Sequence, residues 1–303
     1  MKKLVLFTLA LLYTSISLLG APESTFQKAE ELEKSGKVDE SITLYNQAAE
    51  QGFANAQLKM GEIYYEGVLK TKDLSKAIRW FTLAAEQNNP EAQLQLGCCY
   101  LNGEGVEANK REAVNLWLKA AKQGNSLAQI LVGIAYNNGI GVSSNSAEAS
   151  EWFNKIAVSE DTTAKVLLSL LYESGIYVEK DSRKAQRLLY DAAKKGDAEA
   201  QLLLGIMSFT KGKMFDAYKW IEQSAKQNYL IAQLALRALY MAENRSAEDE
   251  EQFENHAYDI AKLIIKTVAK NNTSAKKETV LLQLLKGTQE GKQMLTKIKE
   301  EMH

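Results

Sequence analysis

The sequence predicts an all-α solenoid of paired helices, and three observations lead to this prediction. The chain repeats itself, apolar residues within each copy recur at helical spacing, and a glycine-containing turn divides most copies in two. Alanines open successive copies 36 residues apart, with a last step of 32 residues: Ala56, Ala92, Ala128, Ala164, Ala200 and Ala232. A period of this length is typical of solenoids, whose core runs continuously from copy to copy.

The first half of each copy is predicted to be a helix, as the stretch Ala92–Leu101 illustrates. Ala92, Leu96 and Tyr100 recur at four-residue steps and place an apolar row on one face. Gly97 lacks a side chain and suits the close approach of a neighbouring helix. Asn89 followed by Pro90 supplies an N-cap and a helix-compatible first residue. The helix is therefore expected to begin close to Pro90.

The turn and the second helix also follow a fixed pattern. GEGV at 103–106 recurs as GIGV at 139–142, and its glycines are expected to supply positive φ angles. Asn109 with Glu112, and Asn145 with Glu148, have the spacing of a capping box, and Asp73 and Asp181 are predicted caps in the other full copies. Each second helix then carries a bulky pair: Trp80–Phe81, Leu116–Trp117, Trp152–Phe153 and Leu188–Leu189. An Ala pair follows in most copies, so small and bulky faces are predicted to interlock.

The pattern resembles the Sel-one-like repeat family, which is related to the tetratricopeptide repeats. The resemblance covers residues 56–231 well and residues 24–55 more weakly, and it implies a right-handed α/α superhelix. Departures occur at Leu69 and Lys70, which replace Gly and Val of the turn. Ser208 replaces the tyrosine, and the loop Lys211–Lys213 is shortened.

The predicted organisation has four parts. Residues 1–20 form a signal peptide and residues 24–55 a short N-terminal repeat. Residues 56–231 hold five repeats, with boundaries at 56–91, 92–127, 128–163, 164–199 and 200–231. Residues 232–303 form a degenerate repeat and a helical C-terminal cap, with helices expected at His256–Lys270 and Thr279–Lys299; a separate docking or oligomerisation helix is the alternative reading of this tail.

The N-terminus and the charge balance limit the function classes. Lys2 and Lys3 precede the apolar stretch Leu4–Leu12 and the smaller residues Ser15–Gly20, as in a bacterial-type signal peptide; an uncleaved anchor is the alternative. The protein is therefore expected in the periplasm or secreted, without membrane insertion once the signal is removed. The net charge is −1, and loss of Lys2 and Lys3 would make it −3. This charge argues against bulk binding to nucleic acid or to an anionic membrane, because either needs a basic surface.

Candidates for catalysis are scarce. The two histidines, His256 and His303, lie outside the repeats and lack companions for a triad or a metal site. The GEGV and GIGV turns lack the strand context of a nucleotide site. Cys98 and Cys99 are neighbours on a predicted helix and cannot form a disulfide with each other; packing is the expected role, and an accessible thiol is the alternative. No cofactor and no enzyme activity are predicted.

Two sets of side chains compete as candidates for a binding face. The recurring Tyr64, Tyr100, Tyr136 and Tyr172, and the four tryptophans, are predicted to pack between helices. By analogy with tetratricopeptide packing, the seventh and tenth positions of each copy are expected to line the concave face instead, with filling of the superhelix interior as the alternative. These residues are Glu62, Tyr65, Cys98, Leu101, Ile134, Asn137, Leu170, Glu173, Ile206 and Phe209.

The sequence therefore predicts an exported, monomeric scaffold that binds a protein or peptide on its concave face. The family resemblance implies a role in envelope signalling or in contact with host proteins. Two alternatives stay open: a hydrolase of the cell-wall compartment, as linked to some cysteine-rich relatives, and a passive structural or oligomerising element.

Overall fold

The computed structural model describes residues 21–67 and 71–243, and every regular element in these ranges is an α-helix. Each helix spans 13 residues except the last, which spans 14. In chain order they are α1 (Pro22–Lys34), α2 (Val38–Glu50), α3 (Ala54–Glu66), α4 (Leu74–Glu86), α5 (Pro90–Asn102), α6 (Lys110–Lys122), α7 (Ser126–Asn138), α8 (Ser146–Val158), α9 (Thr162–Ser174), α10 (Ser182–Lys194), α11 (Ala198–Thr210), α12 (Met214–Lys226) and α13 (Leu230–Glu243). The predicted all-α fold of consecutive helix hairpins is confirmed.

The described helices fall into two compact units. Among the described residues, the first unit comprises 21–67, 71–164 and 176–179, and the second comprises 165–175 and 180–243. Within the first unit, α1 packs on α2, α3 on α4, α5 on α6 and α7 on α8, and successive hairpins contact each other. In the second unit, α11 packs on α12 and α12 on α13.

Side-chain caps fix where the second helix of a hairpin begins. Asn109 Oδ1 accepts the backbone N–H of Glu112 at 3.0 Å, and Asp73, Asn145 and Asp181 cap their helices in the same way. The predicted caps are confirmed. The reciprocal half of the capping box is not formed, because the backbone N–H of Asn109 donates to the carbonyl of Tyr100 at 2.8 Å.

This bond between the cap and the tyrosine carbonyl recurs in every full-length hairpin. The backbone N–H groups of Asp73, Asn145 and Asp181 donate to the carbonyls of the matching tyrosines at 2.8–2.9 Å, which are Tyr64, Tyr136 and Tyr172. Since the bond joins the end of the first helix to the start of the second, it closes the inter-helix loop. The tyrosine rings are half-buried, and those of Tyr64 and Tyr100 pack against the apolar clusters between the helices.

The turns adopt the predicted left-handed conformation. Gly103 and Gly139 end α5 and α7 with φ of 73° and 68°. Gly141 also has φ of 68°, and a Cβ there would lie 2.2 Å from the carbonyl oxygen of Lys110 at the start of α6. The loop of one hairpin thus rests directly on the preceding one. Tyr177 occupies the position equivalent to Gly141 with φ of 63°.

Glycines on the first helices admit large side chains from the second helices. A Cβ on Gly97 would lie 2.5 Å from Trp117 Nε1, and a Cβ on Gly61 would lie 2.4 Å from Phe81. Gly133 with Phe153 and Gly205 with Ile221 repeat the arrangement. The predicted interlocking of small and bulky residues is confirmed. Trp117 and Trp152 are buried, whereas Trp80 and Trp220 are half-buried against neighbouring clusters.

A glutamine at the fourth position of most first helices joins neighbouring hairpins. Gln57, Gln93, Gln129, Gln201 and Gln233 each donate to an alanine carbonyl of the preceding second helix at 3.1–3.4 Å. In α9 the position holds Lys165, which is 2% exposed and donates to Asp191 on α10. Lys195 Nζ lies 3.6 Å from the same carboxylate. In this hairpin an ion pair between α9 and α10 therefore stands where the other copies have a hydrogen bond from the glutamine side chain to the preceding second helix.

Several predictions lie outside the described residues. They are the signal peptide at 1–20, the loop positions Leu69 and Lys70, the helices at His256–Lys270 and Thr279–Lys299, and His303. The predicted first helix of the degenerate repeat is confirmed as α13, and the shortened loop at 211–213 is confirmed between α11 and α12.

Candidate partner-binding face

The candidate residues lie on the first helices of the hairpins. In the first unit they are Glu62 and Tyr65 on α3, Cys98 and Leu101 on α5, and Ile134 and Asn137 on α7. Cys98 is 4% exposed and Ile134 is 1% exposed. These two side chains are buried in the structure, so they are withdrawn as partner contacts. A positional analogy does not specify how deeply a side chain is buried.

Both thiols are enclosed. Cys98 and Cys99 are free and buried. Burial raises the pKa of Cys98 well above its usual range and that of Cys99 to about 12. A thiol of this kind stays protonated near neutral pH and reacts slowly. The alternative of a thiol presented to a redox partner is therefore not supported.

Two further candidates hold the next hairpin in place. The hydroxyl of Tyr65 donates to the Glu104 carboxylate, 39 residues further along the chain. Asn137 Nδ2 donates to the carbonyl of Tyr177 at 2.9 Å, 40 residues further along. Each bond runs from the end of a first helix to the loop of the following hairpin. Burial and the bond to Glu104 raise the pKa of Tyr65, which therefore stays protonated.

The part of α3 that carries Lys59 and Glu62 is polar, and Lys59 is hydrogen-bonded within the first unit. Glu33 on α1 accepts hydrogen bonds from Tyr45 Oη at 2.7 Å and from Lys59 Nζ at 2.8 Å. Burial opposes ionisation of Glu33, but these two bonds outweigh it and lower its pKa. Glu62 is half-buried one turn beyond Lys59. This end of the first unit offers charged groups that already have partners.

The second unit places apolar candidates on a half-exposed surface. Leu170 on α9 and Ile206 and Phe209 on α11 are half-buried. Glu173, the fourth candidate of this unit, accepts a hydrogen bond from Ser182 Oγ at 3.1 Å and lies 3.7 Å from Lys180 Nζ. Glu173 thus serves its own hairpin, and the apolar three are the candidates that a partner could contact.

Two residues that the sequence reasoning missed extend this surface. Leu167 and Leu203 stand three positions before Leu170 and Ile206, and both are half-buried. Residues three apart on a helix share a face. The same two positions hold Lys59 and Glu62 in α3, so the signal was available as a change from charged to aliphatic residues along the repeats. We call Leu167, Leu170, Leu203 and Ile206 the aliphatic face.

Neither a metal cluster nor a membrane span is found in the described part of the chain. No group of three or more His, Cys, Asp or Glu residues is arranged to hold a metal ion there. Among the same residues, no helix has the length and apolarity needed to cross a bilayer.

Comparisons with known proteins agree with the hairpin architecture. The family model of the Sel1 repeat matches residues 37–53, 54–89, 90–125, 126–157, 163–197 and 198–229. These segments begin within a few residues of the first helices of the hairpins from α3 onward. A search of curated proteins finds no match.

Two solved structures are similar to this chain. A Sel1 repeat protein from Oxalobacter formigenes is 27% identical, with a TM-score of 0.59, and the alignment covers 79% of this chain and 99% of that one. A protective antigen present in uropathogenic Escherichia coli strains, displaying an SLR fold, is 30% identical with a TM-score of 0.51. That alignment covers 82% of this chain and 55% of the antigen, so this chain spans little more than half of the antigen's length.

The matched segments make up more than half of the sequence, and their hairpins are those observed. The chain belongs to the Sel1 repeat family.

Proposed function

We propose that this chain is an exported protein-interaction scaffold whose aliphatic face binds an amphipathic helix or an extended peptide of another protein, without catalysis or a cofactor. Sel1 repeats generally mediate contacts between proteins, which supports the scaffold role. The choice of face rests on the position and exposure of four side chains.

The observation that carries the proposal is the half-burial of aliphatic residues at matched positions of two neighbouring first helices. Leu167 and Leu170 on α9 correspond position for position to Leu203 and Ile206 on α11. Half-buried aliphatic groups keep part of their surface in water, and covering that surface contributes about 25 cal/mol per Å². A row of this kind suits a partner segment with apolar anchors at helical spacing.

The recurring residues are unsuited to partner selection. Ala200, Leu204 and Gly205 on α11 are buried in contact with their own or the neighbouring hairpin. Their equivalents recur in most copies, so they cannot distinguish one repeat from another. Specificity is therefore assigned to positions that differ between copies. On the first helices of the second unit, the aliphatic face offers such positions with apolar surface left to cover.

Export is the second element of the proposal. Its support is the charged start at Lys2–Lys3, followed by the apolar stretch Leu4–Leu12. N-terminal sequencing of the protein recovered from a fractionated culture tests it. A new N-terminus near Ala21 in the periplasmic or extracellular fraction is expected, whereas an intact Met1 in the cytoplasmic fraction would contradict export.

Photo-crosslinking in the native cell tests the aliphatic face. A photoreactive amino acid at Leu170 or Ile206 is expected to capture one defined segment of another protein. The same group at Thr43, which is exposed on α2, is the matched control and is expected to capture nothing reproducible. Crosslinks from Leu170 and Ile206 to residues 256–299 of the same chain would show that the chain covers its own face, and would refute the proposal.

The absence of catalysis is tested separately. The purified protein is expected to leave penicillin-type substrates and peptidoglycan fragments unchanged. Turnover that a single-residue change abolishes would support the hydrolase alternative instead.

A further inference from the structure

The outer surface of α10 and α12 differs from the outer surface of the other second helices. We define the outer stripe of a second helix as its positions 2, 6, 9 and 13, which lie on one face because they follow helical spacing. On α10 these are Arg183, Arg187, Tyr190 and Lys194; on α12 they are Phe215, Lys219, Glu222 and Lys226. All are exposed except Glu222, which is half-buried.

Charge is concentrated on these two stripes. Together they hold five basic residues and one acid, Glu222, which lies 2.7 Å from Lys226. The stripe of α2 holds two acids, Asp39 and Glu50, and that of α8 holds Glu151 and no base. The stripe of α6 holds two bases, Arg111 and Lys122, but no aromatic residue. Basic and aromatic residues therefore occur together only on α10 and α12 among the described second helices with basic stripes.

Two aromatic rings join the stripes into one surface. Tyr190 on α10 and Trp220 on α12 meet edge to face, with 6.0 Å between the ring centroids. Lys194 Nζ lies 5.1 Å from the Tyr190 ring, and Lys219 Nζ lies 5.6 Å from the Trp220 ring. Lys211 Nζ also donates to Gln186 Oε1 at 3.2 Å, which links the loop between α11 and α12 to α10. The ammonium groups of Lys194 and Lys219 thus lie close to the two aromatic rings.

Two apolar side chains are exposed at the start of α12. Phe215 is 82% exposed and Met214 is 41% exposed. Lys211 and Lys213 precede them, and Lys219 follows Phe215 by one helical turn. An exposed phenyl group flanked by cations is an unfavourable arrangement in water, and it becomes favourable when the ring enters an apolar layer beneath an anionic surface.

We propose that the outer stripes of α10 and α12, with Met214 and Trp220, dock on the surface of an anionic phospholipid bilayer. The cations attract the headgroups, Tyr190 and Trp220 lie at headgroup level, and Phe215 enters the acyl boundary. An acidic protein segment would satisfy the cations but would leave Phe215 in water unless it carried a matching pocket. The surface lies on second helices, so it is separate from the aliphatic face on α9 and α11.

The proposal is compatible with a chain of net charge −1, because the attraction is local. Exposed charges more than about 10 Å apart are largely screened at 0.1 M salt, so acids on distant hairpins scarcely oppose a cluster at the bilayer. The same screening makes the binding dependent on ionic strength. Each basic residue near an anionic surface contributes about 1 kcal/mol, or about fivefold in partitioning.

Vesicle sedimentation with the protein purified from cells tests the proposal. We expect binding to vesicles containing phosphatidylglycerol at low salt, release at high salt, and no binding to pure phosphatidylcholine. Arg183→Glu with Arg187→Glu should weaken the partitioning about tenfold or more. The matched control is Arg111→Glu with Lys122→Glu on α6, which makes the same change in charge and should retain most of the binding.

The contribution of Phe215 to vesicle binding is tested with a second variant and its control. Phe215→Ser should weaken partitioning about threefold to tenfold, whereas Val158→Ser, at a side chain that is 80% exposed on α8, should leave it unchanged. Circular dichroism melts confirm that each variant folds.

Three results would overturn the proposal. One is wild-type binding that does not distinguish anionic from neutral vesicles, and another is an equal loss of binding in the α6 control. The third is a soluble peptide of glutamate and leucine that binds the same residues more tightly than the vesicles do, which would assign the surface to an acidic protein partner.

Discussion

Gly97 and Trp117 set the separation of α5 and α6. The indole lies over the glycine so closely that a Cβ on Gly97 would fall 2.5 Å from Nε1. The indole N–H donates to the carbonyl of Leu94 at 3.3 Å, which fixes the orientation of the ring. The contact is repeated in other hairpins with phenylalanine or isoleucine as the large member.

Replacing Gly97 by Ala is expected to destabilise the protein, because the added methyl group must displace Trp117 from a packed position. The loss should be about 1–3 kcal/mol in the free energy of unfolding, measured by urea denaturation followed by circular dichroism.

A second substitution, Trp117→Leu, tests whether the loss of stability in Gly97→Ala comes from crowding against the indole. In the α9–α10 hairpin the same two positions hold Ser169 and Leu189, so a larger residue on the first helix is accompanied by a smaller one on the second. Gly97→Ala should therefore cost less in a Trp117→Leu background than in the wild type. Equal costs in both backgrounds would show that the two residues are not coupled.

Gly141 combines a left-handed backbone with a close contact, and the two effects can be separated. Gly141→Ala places a Cβ 2.2 Å from the Lys110 carbonyl oxygen at φ of 68°, whereas Gly124→Ala meets nothing within 4 Å at φ of 91°. The free energy of unfolding should fall by at least about 2 kcal/mol more in Gly141→Ala than in Gly124→Ala. Thermal unfolding of the two variants measures the difference, and similar melting temperatures would contradict the close approach of the loop to α6.

Asp191 is expected to stabilise the second unit by neutralising the buried Lys165. Asp191→Asn leaves the ammonium group without its anionic partner. The cost should be about 2–3 kcal/mol, which is less than for a fully buried pair because the Asp191 side chain is 46% exposed. Lys165→Gln restores the residue of the other copies and should change the stability by less than about 1 kcal/mol. Equal losses of stability in Asp191→Asn and Lys165→Gln would mean that a glutamine at position 165 cannot replace the ion pair.

The pair also predicts a pH dependence. The hydrogen bond from Lys165 lowers the pKa of Asp191 below its ordinary value of 3.8. The folded state therefore binds the proton less readily than the unfolded state, and the stabilisation is present above pH 3.8 and lost as the pH falls through the lower folded-state pKa. Urea denaturation across this acid range should show a steeper loss for the wild type than for Lys165→Gln, and parallel curves would contradict the assignment.

The thiols of Cys98 and Cys99 should be unreactive in the folded protein. Burial raises the pKa of both groups, so iodoacetamide at pH 8 is expected to modify neither until the chain unfolds. Mass spectrometry after timed labelling, with and without urea, measures this. Rapid modification in the absence of urea would show that one thiol reaches the solvent.

Much of the hairpin architecture could be predicted from the sequence because the same local interactions recur. Caps such as Asn109, turn glycines such as Gly141 and the glycine that faces Trp117 depend on neighbours at a fixed distance along the chain. Repetition every 36 residues separates these positions from accidental matches. The conformations of Gly103 and Gly139 follow from the same regularity.

The candidate face was harder to predict because depth depends on how hairpins pack, which a positional analogy does not contain. Ile134 and Ile206 occupy equivalent positions, yet the first is buried and the second half-exposed. Tyr65 and Asn137 bond to loops about 40 residues away, and no local pattern identifies such partners. The substitution of Lys165 for the recurring glutamine was visible in the sequence, but its pairing with Asp191 required the fold.

The affinity of the crosslinked partner for variants of the aliphatic face tests the central claim most directly. Leu170→Ser with Ile206→Ser should weaken binding about thirtyfold or more, because two aliphatic anchors are worth about 1–2 kcal/mol each, while the exposed control Thr43→Ser should bind as the wild type does. Titration calorimetry gives the dissociation constants, and circular dichroism melts confirm that the variants fold. A folded double variant that binds its partner with wild-type affinity would contradict the claim that the residues differing between repeats form the binding surface.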